Sequence, residues 1–390
     1  NKKRRVFRRA LENCPESVQL WKVAVNLENN HDARIMLSRA VECCPTSAEL
    51  WLALARLEDY KKAQQVLNRA RKNIPTERQI WIAAAQLEEQ ELKKPKNGEE
   101  EYVANEEVEA RLVAKLKFLI DKAIKSLETN GVEVNRELWM NEAKKCEQNG
   151  YHLVCQAITI NIVATDIEEQ DEEHTWLEDI AQCLSDEAPI KFIVTARAIF
   201  NYAITKYQTN VKFWEEATKF EKRYGSAKEL QNILAKATKA CPDQEKFWLM
   251  AAVTQWKTTR EISVARGILQ NGFLYNEKSE NIWLTAIKLE SEHNQIDRAR
   301  KLLKKAREKA NTRRIWMKSA KMEWQLQNIE GAMSLLEEAL VRYPNFYKLY
   351  LMKGQILTSL NKPDKANEVY SVGTKLCPDN PLIWISLARN

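Results

Sequence analysis

The chain is poor in the residues that break helices: its 390 residues include nine Gly and ten Pro. With 44% hydrophobic and 29% charged residues, that shortage excludes collagen-like and low-complexity chains and suits long helical runs. No apolar run approaches the roughly 20 residues that a membrane-spanning helix requires, and no secretory signal opens the chain, so no membrane partner is expected. The eight Cys (Cys14, Cys43, Cys44, Cys146, Cys155, Cys183, Cys241 and Cys377) contain no CxxC pair, which removes the common zinc and redox spacings and leaves reduced packing residues as the expectation. Four His (His31, His152, His174 and His293) show no ligand spacing, and there is no Gly-rich phosphate loop, HExxH or nucleophile elbow. The expectation is a chain that is not an enzyme, with no catalytic residue, cofactor, metal or small-molecule substrate.

What is abundant is tryptophan, and it is periodic. One aromatic position returns at Trp21, Trp51, Trp81, Trp139, Trp176, Trp214, Trp248, Trp283, Trp316, Tyr350 and Trp384, at intervals of 30 to 38 residues apart from one of 58. A fixed period of this size marks an array of one supersecondary unit, each packing on its neighbours. Around the aromatic residue the unit reads LWKVAVNLE, LWLALARLE, IWIAAAQLE or IWLTAIKLE, the apolar stripe of an amphipathic helix A. The second half reads DARIMLSRA, KAQQVLNRA, VARGILQNG or RARKLLKKA, a helix B with small residues seven apart that allow close helix approach. Helix B commonly ends at Pro (Pro15, Pro45, Pro75, Pro242, Pro344 and Pro378), and Thr46 with Glu49 and Thr76 with Gln79 have capping-box spacing for the helix that follows. In the first units so few residues join A to B that the two must be antiparallel. The expected fold is all-α: an α–α superhelix of antiparallel hairpins forming one array over 1–390, interrupted by a charged insertion at about 92–108. The aromatic series is expected to be core, not a base-stacking platform.

Several features together resemble the half-a-tetratricopeptide (HAT) repeat. They are the early Trp, an acidic residue seven positions later (Glu28, Glu58, Glu88, Glu221, Glu290 and Glu323), an Ala-Arg opening of helix B (Ala33–Arg34, Ala196–Arg197, Ala265–Arg266 and Ala299–Arg300) and the closing Pro. Tyr350 in place of Trp and Cys146 in place of the acidic residue depart from the pattern. More narrowly, ENCPESVQLWKVAVNLE, ECCPTSAELWLALARLE and NIPTERQIWIAAAQLEE are similar to the HAT scaffold of the spliceosomal tri-snRNP. This resemblance implies a TPR/HAT-like scaffold in the nucleus that bridges snRNP proteins during pre-mRNA splicing. The alternatives are a HAT scaffold of mRNA 3′-end cleavage or rRNA processing, or a direct RNA-binding module. The chain begins without Met inside one helical pattern and stops inside another, so it is expected to be a piece of a longer protein, and to be monomeric.

Charge is uneven. The net charge is +7, but Lys2, Lys3, Arg4, Arg5, Arg8 and Arg9 supply six positive charges, so no uniform nucleic-acid surface is expected and RNA contact is a secondary reading. Between Cys146 and Ile190 there are eleven acidic residues and no Lys or Arg, densest at Asp166, Glu168, Glu169, Asp171, Glu172 and Glu173. Between Asp297 and Lys321 eleven basic residues face two acidic ones. Arg298, Arg300, Lys301, Lys304, Lys305 and Arg307 are expected to point outward from their helix and, with the acidic run, to form docking surfaces. The repeated glutamate, lying on nearly the same face as the Trp, is expected to pair with the Arg that opens a helix B.

Overall fold

The structure, a computed structural model, describes residues 2–94, 106–185 and 190–389. These residues form helices and turns without a strand, an all-α fold of the α–α superhelix class, and they divide into two compact units, Asn1–Gln208 and Thr209–Asn390.

In the first unit the helices are α1 (Lys2–Asn13), α2 (Val18–Asn26), α3 (Asn30–Cys43), α4 (Ala48–Leu57), α5 (Tyr60–Asn73) and α6 (Arg78–Lys93). They continue as α7 (Glu106–Thr129), α8 (Arg136–Gln148), α9 (His152–Ile162), α10 (Glu172–Cys183) and α11 (Ile193–Lys206). The second unit contains α12 (Val211–Tyr224), α13 (Ala227–Ala240), α14 (Glu245–Thr254), α15 (Ile262–Tyr275), α16 (Glu280–Glu292) and α17 (Ile296–Lys309). It closes with α18 (Arg313–Gln325), α19 (Ile329–Arg342), α20 (Tyr347–Ser359), α21 (Pro363–Leu376) and α22 (Pro381–Arg389). Even-numbered helices carry the periodic aromatic residue and odd-numbered ones are the B helices. Most of the insertion expected at about 92–108 lies outside the described residues; Leu92 and Lys93 end α6, and α7 begins at Glu106.

The core of α1–α6 is one continuous cluster from Leu11 to Ile80, whereas the second unit divides into smaller clusters. Trp283 and Ile287 of α16 meet Leu303 and Ala306 of α17 and Ile315 of α18, and the set recurs as Trp248, Ala252, Leu269 and Ile282. Ten of the eleven aromatic positions are buried; Trp384, on α22, is 50% exposed. The small residues of helix B face the aromatic ring of helix A: a Cβ at Gly272 would lie 3.3 Å from Trp248, and one at Gly373 would lie 3.0 Å from Tyr350.

Trp also has a polar task. The indole N–H of Trp21, Trp51, Trp248 and Trp384 donates to the carbonyl of the inter-repeat proline six residues earlier, at 2.7, 2.9, 2.8 and 3.0 Å. Trp283 does the same to Glu277 at 2.8 Å. One side chain thus fills the hairpin and fastens the turn that leads into it. The turn takes one residue more than the cap spacing suggests: Ser17, Ser47 and Glu77 are the N-caps, so the boxes expected from Thr46 and Thr76 are displaced by the Pro-Thr turn. A reciprocal capping box forms at Ser226 and Glu229. One more residue separates Trp248 from Ala265 than Trp283 from Ala299, and α14 absorbs it as a π-helical turn at Gln255–Thr259 ending in left-handed Arg260 (φ 58°).

Candidate partner-binding surfaces

The repeated glutamates act between repeats. Arg266 of α15 forms a two-pronged pair with Glu290 of α16, both bonds 2.7 Å, and Arg300 of α17 pairs likewise with Glu323 of α18 at 2.8 Å. Burial alone would raise the Glu323 carboxyl, but bonds from Arg300 and Asn328 hold it below the ordinary value; the same bond raises Arg300. The corresponding lock in α1 and α2 joins Arg4 and Arg8 to Glu28, whose side chain is 2% exposed, and in α5 and α6 Gln64 and Tyr60 bond Glu88 at 2.9 and 3.0 Å. Burial, and then the Glu88 bond, push Tyr60 up to about 12. Arg34 Nε and Glu58 Oε2, at the same repeat positions, are buried without a hydrogen-bond partner.

A second set of carboxylates was not singled out by sequence reasoning. Glu89, eight positions after Trp81 and fully buried, accepts from the Val154 N–H at 2.9 Å and from Lys93 at 2.7 Å. Glu147, eight after Trp139, accepts from the Val194 and Thr195 N–H groups at 2.8 and 3.0 Å and from the Thr195 hydroxyl at 2.7 Å. Each closes the N-terminus of a helix B from helix A of the repeat before, α6 for α9 and α8 for α11, where unsatisfied N–H groups and the positive end of the dipole favour a carboxylate.

These contacts reassign several expected docking residues. Arg300 is consumed by Glu323, and Arg307 lies with its guanidinium 5.4 Å from the Trp316 ring, half-buried and lowered by that burial. Neither points freely outward; packing on the next repeat takes both. Arg298, Lys301, Lys304 and Lys305 do remain exposed, on a groove of about 620 Å³ between α15 and α17 whose floor includes Leu269, Phe273 and Leu302. In the acidic run Glu172 is buried, held by Lys206 at 2.6 Å and Tyr207 at 2.7 Å, because it begins α10 beneath the end of α11. Glu173 lies in the same first turn. Asp166, Glu168, Glu169 and Asp171 are exposed in the turn before it, and Asp166, Glu168 and Asp171 line a cleft of about 560 Å³ with Glu133 and Glu137.

Of the eight thiols, Cys44, Cys146, Cys155, Cys183 and Cys241 are buried and Cys377 partly so, whereas Cys14 and Cys43 are exposed, so packing does not account for those two. Burial pushes Cys146 and Cys183 up to about 11 and Cys155 up to about 12. Among the described residues no group of His, Cys, Asp and Glu could hold a metal ion, and no helix is long and apolar enough to cross a membrane.

Tetratricopeptide-repeat families match residues 284–345 and 347–380. Pre-mRNA-splicing factor prp1 of Schizosaccharomyces pombe is 40% identical over 277 residues, covering 71% of this chain and 30% of that protein. Pre-mRNA-processing factor 6 of Homo sapiens is 47% identical over 99 residues, covering 25% of this chain and 10% of that protein. The chain therefore spans a minor part of the length of these relatives. Among solved structures, the TPR protein YrrB matches at TM-score 0.33 and 12% identity, covering 48% of this chain and 96% of that one.

Proposed function

We propose that this HAT-repeat chain, which resembles pre-mRNA-processing factor 6, is a non-enzymatic scaffold of nuclear pre-mRNA splicing that bridges snRNP proteins during tri-snRNP assembly. The observation that carries the reading is the 40% identity to prp1 over 71% of the chain. The architecture supports it physically. Within each unit, hairpins locked in register by Trp–carbonyl bonds and inter-repeat ion pairs present their surfaces at set positions along that unit. Weak contacts made at several such surfaces add through effective concentration. The surfaces offered are the basic groove of Arg298, Lys301, Lys304 and Lys305 in the second unit and the acidic turn of Asp166, Glu168, Glu169 and Asp171 in the first.

RNA is the secondary ligand in this reading. Of the six cations near the N-terminus, Arg4 and Arg8 are already engaged with Glu28. The deciding experiment is affinity purification of the chain from nuclear extract with and without RNase, followed by mass spectrometry. Tri-snRNP proteins that survive RNase are the expected outcome. Cleavage-factor or ribosome-assembly proteins in their place would move the scaffold to another RNA-processing complex, and loss of every partner would make RNA the principal ligand.

A further inference from the structure

A second basic groove, on the other kind of helix, was not singled out from the sequence. It lies across α14, α16 and α18, has a volume of about 600 Å³, and is lined by Lys288, Arg314, Lys318 and Lys321. Its apolar surface comes from Leu249, Leu284, Ile287 and Met322. The four cations are poorly neutralised. Arg314 lies 3.6 Å from Glu280 and Lys288 lies 3.7 Å from Glu292, both longer than a hydrogen bond, while Lys318 and Lys321 have no ion-pair partner among the described residues. Removal from water, followed by the fields of Lys321, Arg314 and Lys288, lowers Lys318 below the ordinary lysine value. Like charges gathered this way repel one another, and an incoming anion relieves the repulsion.

We propose that this groove binds an acidic amphipathic helix of a partner protein. Arg314, Lys318 and Lys321 stand at i, i+4 and i+7 on one face of α18, a row spanning roughly 10 Å at 1.5 Å per residue. Carboxylates repeated at the same spacing on a partner helix match that row, and aliphatic side chains beside them meet Leu284, Ile287 and Met322. A nucleic acid is the poorer match because the described lining contains no aromatic ring on which a base could stack. The site is separate from the groove of Lys301 and Lys304 and does not depend on the splicing assignment.

The test is fluorescence anisotropy of the full chain with a labelled model helix carrying Glu at i, i+4 and i+7 beside Leu. Its controls are the same peptide with Gln for Glu, the same peptide with Ser for Leu, and an oligouridine. The Glu–Leu peptide is expected to bind, and to weaken by about tenfold or more with Lys318→Glu plus Lys321→Glu, with Gln for Glu, or with Ser for Leu. Charge reversal of Lys301 and Lys304 should change it by less than about threefold. The neutral Lys318→Gln guards against misfolding, since it should keep or raise the melting temperature while weakening the peptide. Equal binding of the Glu and Gln peptides, or binding indifferent to both Lys reversals, overturns the proposal. So does oligouridine binding more tightly than the peptide and being lost with the same variants, which would assign the groove to RNA.

Discussion

The two units build the same hairpin and lock it differently. In the second, successive repeats are joined by Arg–Glu pairs whose carboxylates lie inside the stack while the Arg266 and Arg300 side chains are 31% and 40% exposed. In the first, the later repeats use Glu89 and Glu147, whose carboxylates close a helix N-terminus inside the stack. A partly exposed Arg that loses its carboxylate can turn to water, whereas backbone N–H groups at a helix start inside the stack are left orphaned when their acceptor is lost. Loss of one helix-closing carboxylate should therefore cost the first unit more than loss of one Arg–Glu pair costs the second.

The largest expected effect probes what the units share. Trp51→Ala in the first and Trp283→Ala in the second should each cost about 3–5 kcal/mol in denaturant unfolding. The corresponding Trp→Phe changes should cost about 1 kcal/mol more than packing predicts, from loss of the bond to the turn carbonyl. Equal behaviour of Phe and Trp would show that the indole N–H contributes nothing.

The next substitution separates the units. Glu147→Gln should cost about 1–3 kcal/mol and speed amide exchange at Val194 and Thr195, because a neutral amide holds the dipole end and its donors less well. Glu290→Gln in the second unit should cost less than Glu147→Gln, because Arg266, 31% exposed, can turn its guanidinium to water when the carboxylate is lost. If the two losses are equal, the contrast between carboxylates that hold backbone N–H groups and carboxylates that hold an Arg fails.

Alkali should act on the first unit. Cys146, Cys155 and Cys183 are raised in the fold, so each contributes stability that is complete below the unfolded thiol value near 9 and is lost as pH rises toward 11 to 12. Unfolding free energy should fall by about 1.4 kcal/mol per pH unit per thiol above that point. Cys155→Ala should flatten the slope measured by urea titration between pH 9 and 11. The smallest effect is one of reactivity: iodoacetamide at neutral pH should label Cys14 and Cys43 rapidly in the folded chain and Cys155 only after unfolding, as read by peptide mass spectrometry.

Much of the repeat was legible because its signals are local. The Trp period, the small residues seven apart and the proline stops all report contacts within one hairpin or its turn. The pairing of Glu290 with Arg266 was half legible: the residue types were clear, but the partner belongs to the preceding helix B, 24 residues back. Glu89 and Glu147 were not legible, because their partners are backbone N–H groups that any sequence carries. Trp384 fits the sequence pattern of the core yet is half exposed, so the pattern alone does not set burial.

By itself, then, the sequence determined the helical unit, its period and its aromatic anchor, because amphipathic spacing, small-residue spacing and turn residues act over a few positions. Tertiary structure decided which charges are free. Arg300, Arg307 and Glu172 read as surface charge and are spent on packing between helices, while Lys318, counted only within a basic stretch, comes together with Lys288, Arg314 and Lys321 at one groove. The physical reason is that a charge becomes a site or a strut according to what the next helix brings within a few ångströms, and stacking alone sets that distance.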